Sequence, residues 1–284
     1  MSSPSVPLLS LDTLWFQVAG TICNLRCTHC FISCSPDNHS HGMLTLESVR
    51  RRLQEATDLG VKEYYFTGGE PFMNREIFAI LQETLRVGPA NVLTNGLFLD
   101  SGRCAKLKTL EEGSEYSLDL RISLDGWGPE DHDRIRGTGT FHRTFEGIRN
   151  LWAAGLNPVI TVTELAEGIA SAPGRERFLE WLRSFGLSKP RLKVLSLFRI
   201  GAEEKRERGY LSHERLTHRD AIDPEKLQCS TCRMVTSQGV FVCPILIDFP
   251  SARMGSTLRE TLRPFELAFG ACTTCHVQGV TCRT

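Results

Sequence analysis

From Thr13 to about residue 198 the chain alternates short β-rich runs with longer stretches of helical periodicity, and that alternation leaves few folds open. Residues 13–18 read as a first strand. Residues 45–59 read as a helix, with Leu46, Val49, Leu53 and Ala56 on one face and Gly60 as its stop. A second strand is expected over 61–66. Asn74 is placed to cap the helix carrying Ile77, Ile80, Leu81 and Leu85, after which 91–94 reads as a third strand. Helices over about 101–112, 143–154 and 175–185 precede strands over 118–124, 158–163 and 191–198. Strands joined in this way by helices imply right-handed crossovers and a parallel sheet. The 284 residues, 41% of them apolar, suffice for one large domain with a small appended unit.

The strand at 118–125 has a strict period of two: Leu118, Leu120, Ile122 and Leu124 share one face, and Asp119, Arg121, Ser123 and Asp125 the other. Parallel strands are usually apolar on both faces. A polar inner face therefore implies an open barrel whose interior holds water or a polar ligand. An edge strand with one solvated face is the alternative. Thr161 and Thr163, also two apart, fit the polar interior more weakly.

Directly after the first strand stands Cys23-Asn24-Leu25-Arg26-Cys27-Thr28-His29-Cys30, three thiols within eight residues. Thiolates suit zinc or iron-sulfur clusters. Three protein ligands leave one metal position for an exogenous ligand, as catalytic metal sites do. A disulfide framework fits poorly, because three close thiols cannot all pair and the total of 11 cysteines is odd. Taken alone, the triad leaves zinc and a cluster equally open.

Lys+Arg and Asp+Glu are both 33, so no basic field advertises nucleic acid or an anionic membrane. Residues 1–12 read as a short tail with neither a signal peptide nor a span, and we expect a cytoplasmic protein with reduced thiols.

Further motifs stand downstream of the triad. Thr67-Gly68-Gly69-Glu70-Pro71 follows the second strand, at the carboxyl end where ligand loops of parallel sheets belong. Thr94-Asn95-Gly96 follows the third, Ser123-Leu124-Asp125-Gly126 the fourth, and then His132-Asp133-Arg134-Ile135-Arg136-Gly137. Together, over residues 13–200, these pieces resemble the radical S-adenosylmethionine (SAM) enzymes. The resemblance implies a partial (β/α)6 barrel in which Cys23, Cys27 and Cys30 hold a 4Fe-4S cluster whose fourth iron binds SAM. It implies that Gly68, Gly69, Glu70 and Pro71 meet the SAM amino group, that Ser123 and less directly Asp125 meet ribose or substrate, and that Arg136 pairs with the SAM carboxylate. A guanidinium offers the two-pronged geometry a carboxylate takes. His29 departs from the Tyr or Phe of many relatives, though its flat ring could still lie against adenine. Cys34 is extra to the motif and reads as a buried or loop thiol.

Residues 201–228 read as a charged connector, the mixed-charge run at 203–208 being a solvated connector or a short helix. Residues 229–284 form a cysteine-rich domain containing Cys229, Cys232, Cys243, Cys272, Cys275 and Cys282. Their order resembles the SPASM or twitch auxiliary-cluster extensions, Gly239 to Cys243 looking like the glycine-then-cysteine hairpin. An auxiliary 4Fe-4S cluster is the expectation and structural zinc the alternative. The resemblance implies a low-potential electron donor such as flavodoxin or ferredoxin, and an oxidoreductase or peptide-modifying maturase. Small-molecule oxidation or radical group transfer is the runner-up, and a non-catalytic metal-binding module is the reading from a different class.

Overall fold

The computed structural model describes residues 3–279. After a two-residue strand β1 (Ser5–Val6), six strands lie side by side in chain order and parallel: β2 (Thr13–Gln17), β3 (Glu63–Thr67), β4 (Ala90–Thr94), β5 (Leu118–Ser123), β6 (Val159–Thr163) and β7 (Arg191–Leu195). Each crossover carries at least one helix: α1 (Leu46–Asp58), α2 (Ile77–Thr84), α3 (Ser101–Glu112), the pair α4 (Pro129–Arg136) and α5 (Thr140–Ala153), and α6 (Ala172–Ser184). This is the expected α/β partial barrel. Side-chain caps set several helix starts: Thr45 Oγ1 accepts from the Ser48 N–H at 3.2 Å, and Asp100 Oδ1 from Arg103 at 2.8 Å. Such a cap contributes about 1 kcal/mol. Asn74 does not cap α2 itself; its carboxamide accepts from Glu76 N–H and donates to the carbonyls of Val18 and Leu44, tying the helix approach to the end of β2.

Strand parity sorts the core into two layers. Leu14, Phe16, Tyr64, Phe66, Leu120, Ile122 and Ile160 face the helices. Trp15, Tyr65 and Met234 face the other side, packed with Cys23, Phe198 and Cys229. Because β5 lies between β4 and β6, its polar face is interior, and the edge-strand reading does not hold. Arg121 is buried there, stacked on the Tyr65 ring with its guanidinium carbon 4.9 Å from the centroid, and it donates to Asn91 Oδ1 and Tyr65 Oη, each at 3.1 Å.

The sheet does not stop at β7. After the short helix α7 (Ala202–Arg206), the strand β8 (Cys232–Thr236) runs parallel to β2, with Thr13 opposite Cys232 and Trp15 opposite Met234. An antiparallel hairpin through β9 (Gly239–Phe241) and then β10 (Arg253–Gly255) completes nine strands. Strand β11 (Phe265–Glu266) returns to pair with β1, and α8 (Gly270–Gln278) follows. The sheet therefore crosses the boundaries expected near residues 200 and 228. Nor is the connector merely solvated. Glu203 is buried and paired with Arg206, and the Ala202 N–H donates to the Cys30 carbonyl at 2.9 Å. Among the described residues, no helix is long and apolar enough to cross a membrane.

Candidate functional site

The carboxyl ends of the parallel strands bring the expected residues together. The cysteine loop leaves the end of β2 and is pinned by backbone bonds: Gly69 N–H to Gly20 O at 2.8 Å and Glu70 N–H to Ile22 O at 3.0 Å. Glycine is obligatory here, since a Cβ on Gly69 would lie 1.9 Å from the Ile22 oxygen. Pro71 opens a buried turn (Pro71–Met73) that turns the chain away from β3.

Donors converge on all three loop sulfurs. Leu25 N–H reaches Cys23 Sγ at 3.4 Å and Cys34 N–H reaches Cys30 Sγ at 3.3 Å, while Arg136 Nη1 stands 3.9 Å from Cys27 Sγ. Burial pushes the Cys23 thiol up to about 12 and Cys27 to about 11. Cys30 is instead lowered, chiefly by the neighbouring Cys34 thiol, with the Cys34 N–H also donating to it. Cys34 thus has a place beside a loop sulfur that its lack of a motif position did not suggest.

Glu70 is fully buried, and both its oxygens are engaged by the chain: Thr94 Oγ1 at 2.7 Å, Phe72 N–H at 3.1 Å and Asn95 N–H at 2.8 Å. Burial raises its carboxyl to about 7. It clamps the ends of β3 and β4 together. Asn95 extends the clamp to the cysteine loop by donating to Asn24 Oδ1 at 2.8 Å.

A second buried carboxylate, Asp125, gathers the opposite wall. Oδ2 meets Arg136 Nε at 2.6 Å and His29 Nε2 at 2.7 Å; Oδ1 accepts from the Thr163 N–H and hydroxyl at 2.7 and 2.8 Å. Burial opposes its charge, yet the Arg136 guanidinium and His29 hold its carboxyl well below the usual range. Burial likewise opposes the charge on Arg136, and Asp125 with Cys27 keeps it firmly protonated. Arg134 instead points to solvent and pairs with Asp131. The His29 ring is held edge-on by Asp125, with Nδ1 buried and unbonded among the described residues. Ser123, half-buried, stands 3.5 Å from the Thr161 hydroxyl. Sequence reasoning gave no role to His132, whose Nδ1 accepts from the Asp125 N–H at 3.1 Å, and only a weak one to Thr163. The signal for His132 was its place one turn before Arg136 on a helix that opens with Pro129, Glu130 and Asp131 and closes with Arg134 and Arg136.

A second thiol cluster lies in the tail. Cys229, Cys243, Cys272 and Cys275 line one apolar pocket walled by Leu227, Val242 and Leu246. Burial raises Cys229, takes Cys243 to about 11 and takes Cys272 to about 12. Cys232 does not line this pocket; it occupies β8 and its sulfur lies 3.8 Å from the Val242 carbonyl. Cys282 lies outside the described residues. Among the described residues, no three His, Cys, Asp or Glu side chains are gathered closely enough for one metal ion.

Known proteins match this arrangement. A family model described as the radical SAM superfamily matches residues 18–166. A GTP 3',8-cyclase of Clostridium acetobutylicum is 26% identical over 255 residues, 85% of this chain and 77% of that protein. A probable GTP 3',8-cyclase of Methanosarcina acetivorans is 30% identical over 185 residues, covering 63% of this chain and 52% of its own length. Among solved structures, native anSMEcpe with bound AdoMet aligns with a TM-score of 0.63 at 16% identity, over 88% of this chain and 79% of that one. Streptococcus suis SuiB aligns with a TM-score of 0.62 at 16% identity, over 87% and 62%. With the cysteine loop, the Gly-Gly-Glu-Pro turn and Arg136 meeting at one end of a partial parallel barrel, the chain belongs to the radical SAM superfamily.

Proposed function

We propose that this enzyme cleaves SAM reductively and abstracts a hydrogen atom from a small polar substrate held inside the barrel. The observation that carries the reading is the convergence of Cys23, Cys27 and Cys30 with Gly68, Glu70, Asp125 and Arg136 at the carboxyl ends of the strands. Three thiols with N–H donors already aimed at their sulfurs fit a 4Fe-4S cluster that leaves one iron for SAM. When bound, that cluster supplies the electron that splits the sulfonium into methionine and a 5′-deoxyadenosyl radical. The chain's own part is positional. Asp125 takes Arg136 by its Nε and Nη1 stands beside Cys27, so the far edge of the guanidinium, at Nη2, is oriented for the SAM carboxylate. Gly68 and Gly69 let the turn pack directly on the backbone of the cysteine loop, which places that turn beside the cluster and the SAM amino group, and Ser123 would face the ribose or substrate.

The interior supports a polar small molecule. Arg121 and Asn91 lie on the inner face, and Trp15 Nε1 with both carboxamide atoms of Gln17 are buried without partners among the described residues. The relatives are named GTP 3',8-cyclase, a reaction on a small molecule, which moves the small-molecule reading ahead of a peptide maturase. Cys229, Cys243, Cys272 and Cys275 fit an auxiliary 4Fe-4S cluster that would supply a one-electron acceptor, and with four thiols present it needs no substrate ligand. An oxidation or radical rearrangement of a purine nucleotide is the first reaction to assay, with a flavodoxin or ferredoxin as electron donor.

The test is anaerobic reconstitution followed by SAM and a strong reductant. The wild type should form 5′-deoxyadenosine. The variant with Cys23, Cys27 and Cys30 all replaced by Ala should form none and should carry about four fewer irons. Continued cleavage by that variant would overturn the assignment. Transfer of deuterium from labelled GTP, but not from labelled peptides, into 5′-deoxyadenosine would fix the substrate class.

A further inference from the structure

Among the described residues, Arg233 is the largest fully buried side chain. A guanidinium stays charged in proteins, so its burial demands compensation. All of its N–H donors are used. Nε and Nη2 reach the Thr261 carbonyl at 3.1 and 2.9 Å, Nη1 reaches the carbonyls of Cys229 at 2.8 Å and Cys232 at 2.6 Å, and Nη2 reaches that of Arg263 at 3.2 Å. Every acceptor is a backbone carbonyl. Among the described residues no carboxylate pairs with it, and carbonyl dipoles satisfy the hydrogen bonds without cancelling the unit charge. The uncompensated cation sits directly behind Cys229, which lines the pocket shared with Cys243, Cys272 and Cys275.

A cluster held by four thiolates carries net negative charge, and more of it once reduced. Resting on the reading that the tail thiols hold such a cluster, we propose that Arg233 is its buried counter-charge, a positioning residue that favours the reduced state and fixes the Cys229 ligand loop. The same fork ties the carbonyls of Cys229 and Cys232 to the loop at Thr261 and Arg263, so charge and ligand are set by one side chain. Net charge and nearby dipoles are among the levers that set cluster potentials. A merely structural arginine would staple carbonyls and leave the potential alone.

The experiment uses full-length, reconstituted protein, with iron and zinc counted and both clusters followed by spectroscopy through a redox titration. Wild type should hold roughly eight irons. In Arg233→Gln the second cluster should titrate at a more negative potential, whereas Arg233→Lys, which keeps the charge and loses the fork, should stay near wild type. The potential of the first cluster should not move in either. Equal second-cluster potentials in all three proteins would overturn the proposal, as would a shift in the Lys variant as large as in the Gln variant. If Arg233→Gln loses the second cluster's iron while Arg233→Lys keeps it, the charge is required for assembly and the proposal stands. Equal loss from both would show a carbonyl staple and overturn it. A wild type with only about four irons and bound zinc would overturn the tail reading itself, before any substitution is made.

Discussion

Two buried carboxylates divide the work at the site, and they answer pH in opposite directions. Among the described residues no cationic side chain is bonded to Glu70; its partners are a hydroxyl and two backbone N–H groups, and burial raises it to about 7. A raised carboxyl binds its proton more tightly folded than unfolded. Stability of the iron-free, reduced chain should therefore fall as pH rises from about 4.3 to about 7, by on the order of 3 kcal/mol. Glu70→Gln should remove that dependence, which denaturant melts at several pH values would read. Asp125 is the reverse case, depressed by Arg136 and His29, so its contribution is present above about pH 4 and lost on acidification. Asp125→Ala leaves the buried Arg136 charge unpaired and should cost about 3–5 kcal/mol, most of it recovered when Arg136→Met is added. Failure of the double variant to recover would mean that the pair is not the source of the loss. Arg136→Lys should weaken SAM binding to the reconstituted enzyme by about 1.5–3 kcal/mol, read as a dissociation constant. The resemblance of the motifs named these residues, but it could not say that Asp125 grips Arg136 or that Glu70 clamps two strands. Those roles depend on strand ends brought side by side by the sheet, and adjacency in the sheet is not written in local sequence.

At the scale of elements, legibility followed period and punctuation. α1 and α3 emerged close to the expected bounds because their caps, Thr45 and Asp100, stand directly before them. The pattern of β5 was readable for the same reason, its alternation being strict. β8 was missed as a sheet member, since Cys229-x-x-Cys232 reads as a metal motif and nothing local reveals that Thr13 will stand opposite Cys232. α7 fits the short-helix reading of its charge run, but the burial of Glu203, paired with Arg206, was not legible in it. One of the tightest backbone contacts is between the Gly68-Gly69 turn and the cysteine loop. Gly69→Ala should displace that loop and cut iron incorporation at the first cluster, because backbone on both sides leaves no room for a methyl group. Gly60→Ala is the control, with nothing within 4 Å of its added Cβ and only a left-handed backbone to strain. It should cost about 1–2 kcal/mol and leave iron binding intact. Equal iron content in the two variants would separate the turn from cluster assembly.

At the scale of the whole molecule, the cysteine-rich tail is structurally continuous with the barrel. β8 covers the edge of β2, the strand that launches the cysteine loop, and Met234, Phe241 and Leu246 share one core layer with Trp15, Tyr65, Cys23 and Leu25. The His41 ring adds a tie from the loop region, its Nε2 lying 3.2 Å from the Ile247 carbonyl. Cutting the chain after Ile200 would therefore expose an unpaired parallel strand and strip the inner layer of most of its members. Burial of that layer is worth roughly 25 cal/mol for each Å² of apolar surface removed from water, and an exposed hydrophobic edge invites pairing between chains. The truncated chain should aggregate or lose its thermal transition, and should fail to assemble even the first cluster, although all three of its ligands remain. Circular dichroism, light scattering and iron counting on the product ending at residue 200 check this. A soluble fragment that binds about four irons and still cleaves SAM would mean that the barrel stands alone and that the tail is an independent module.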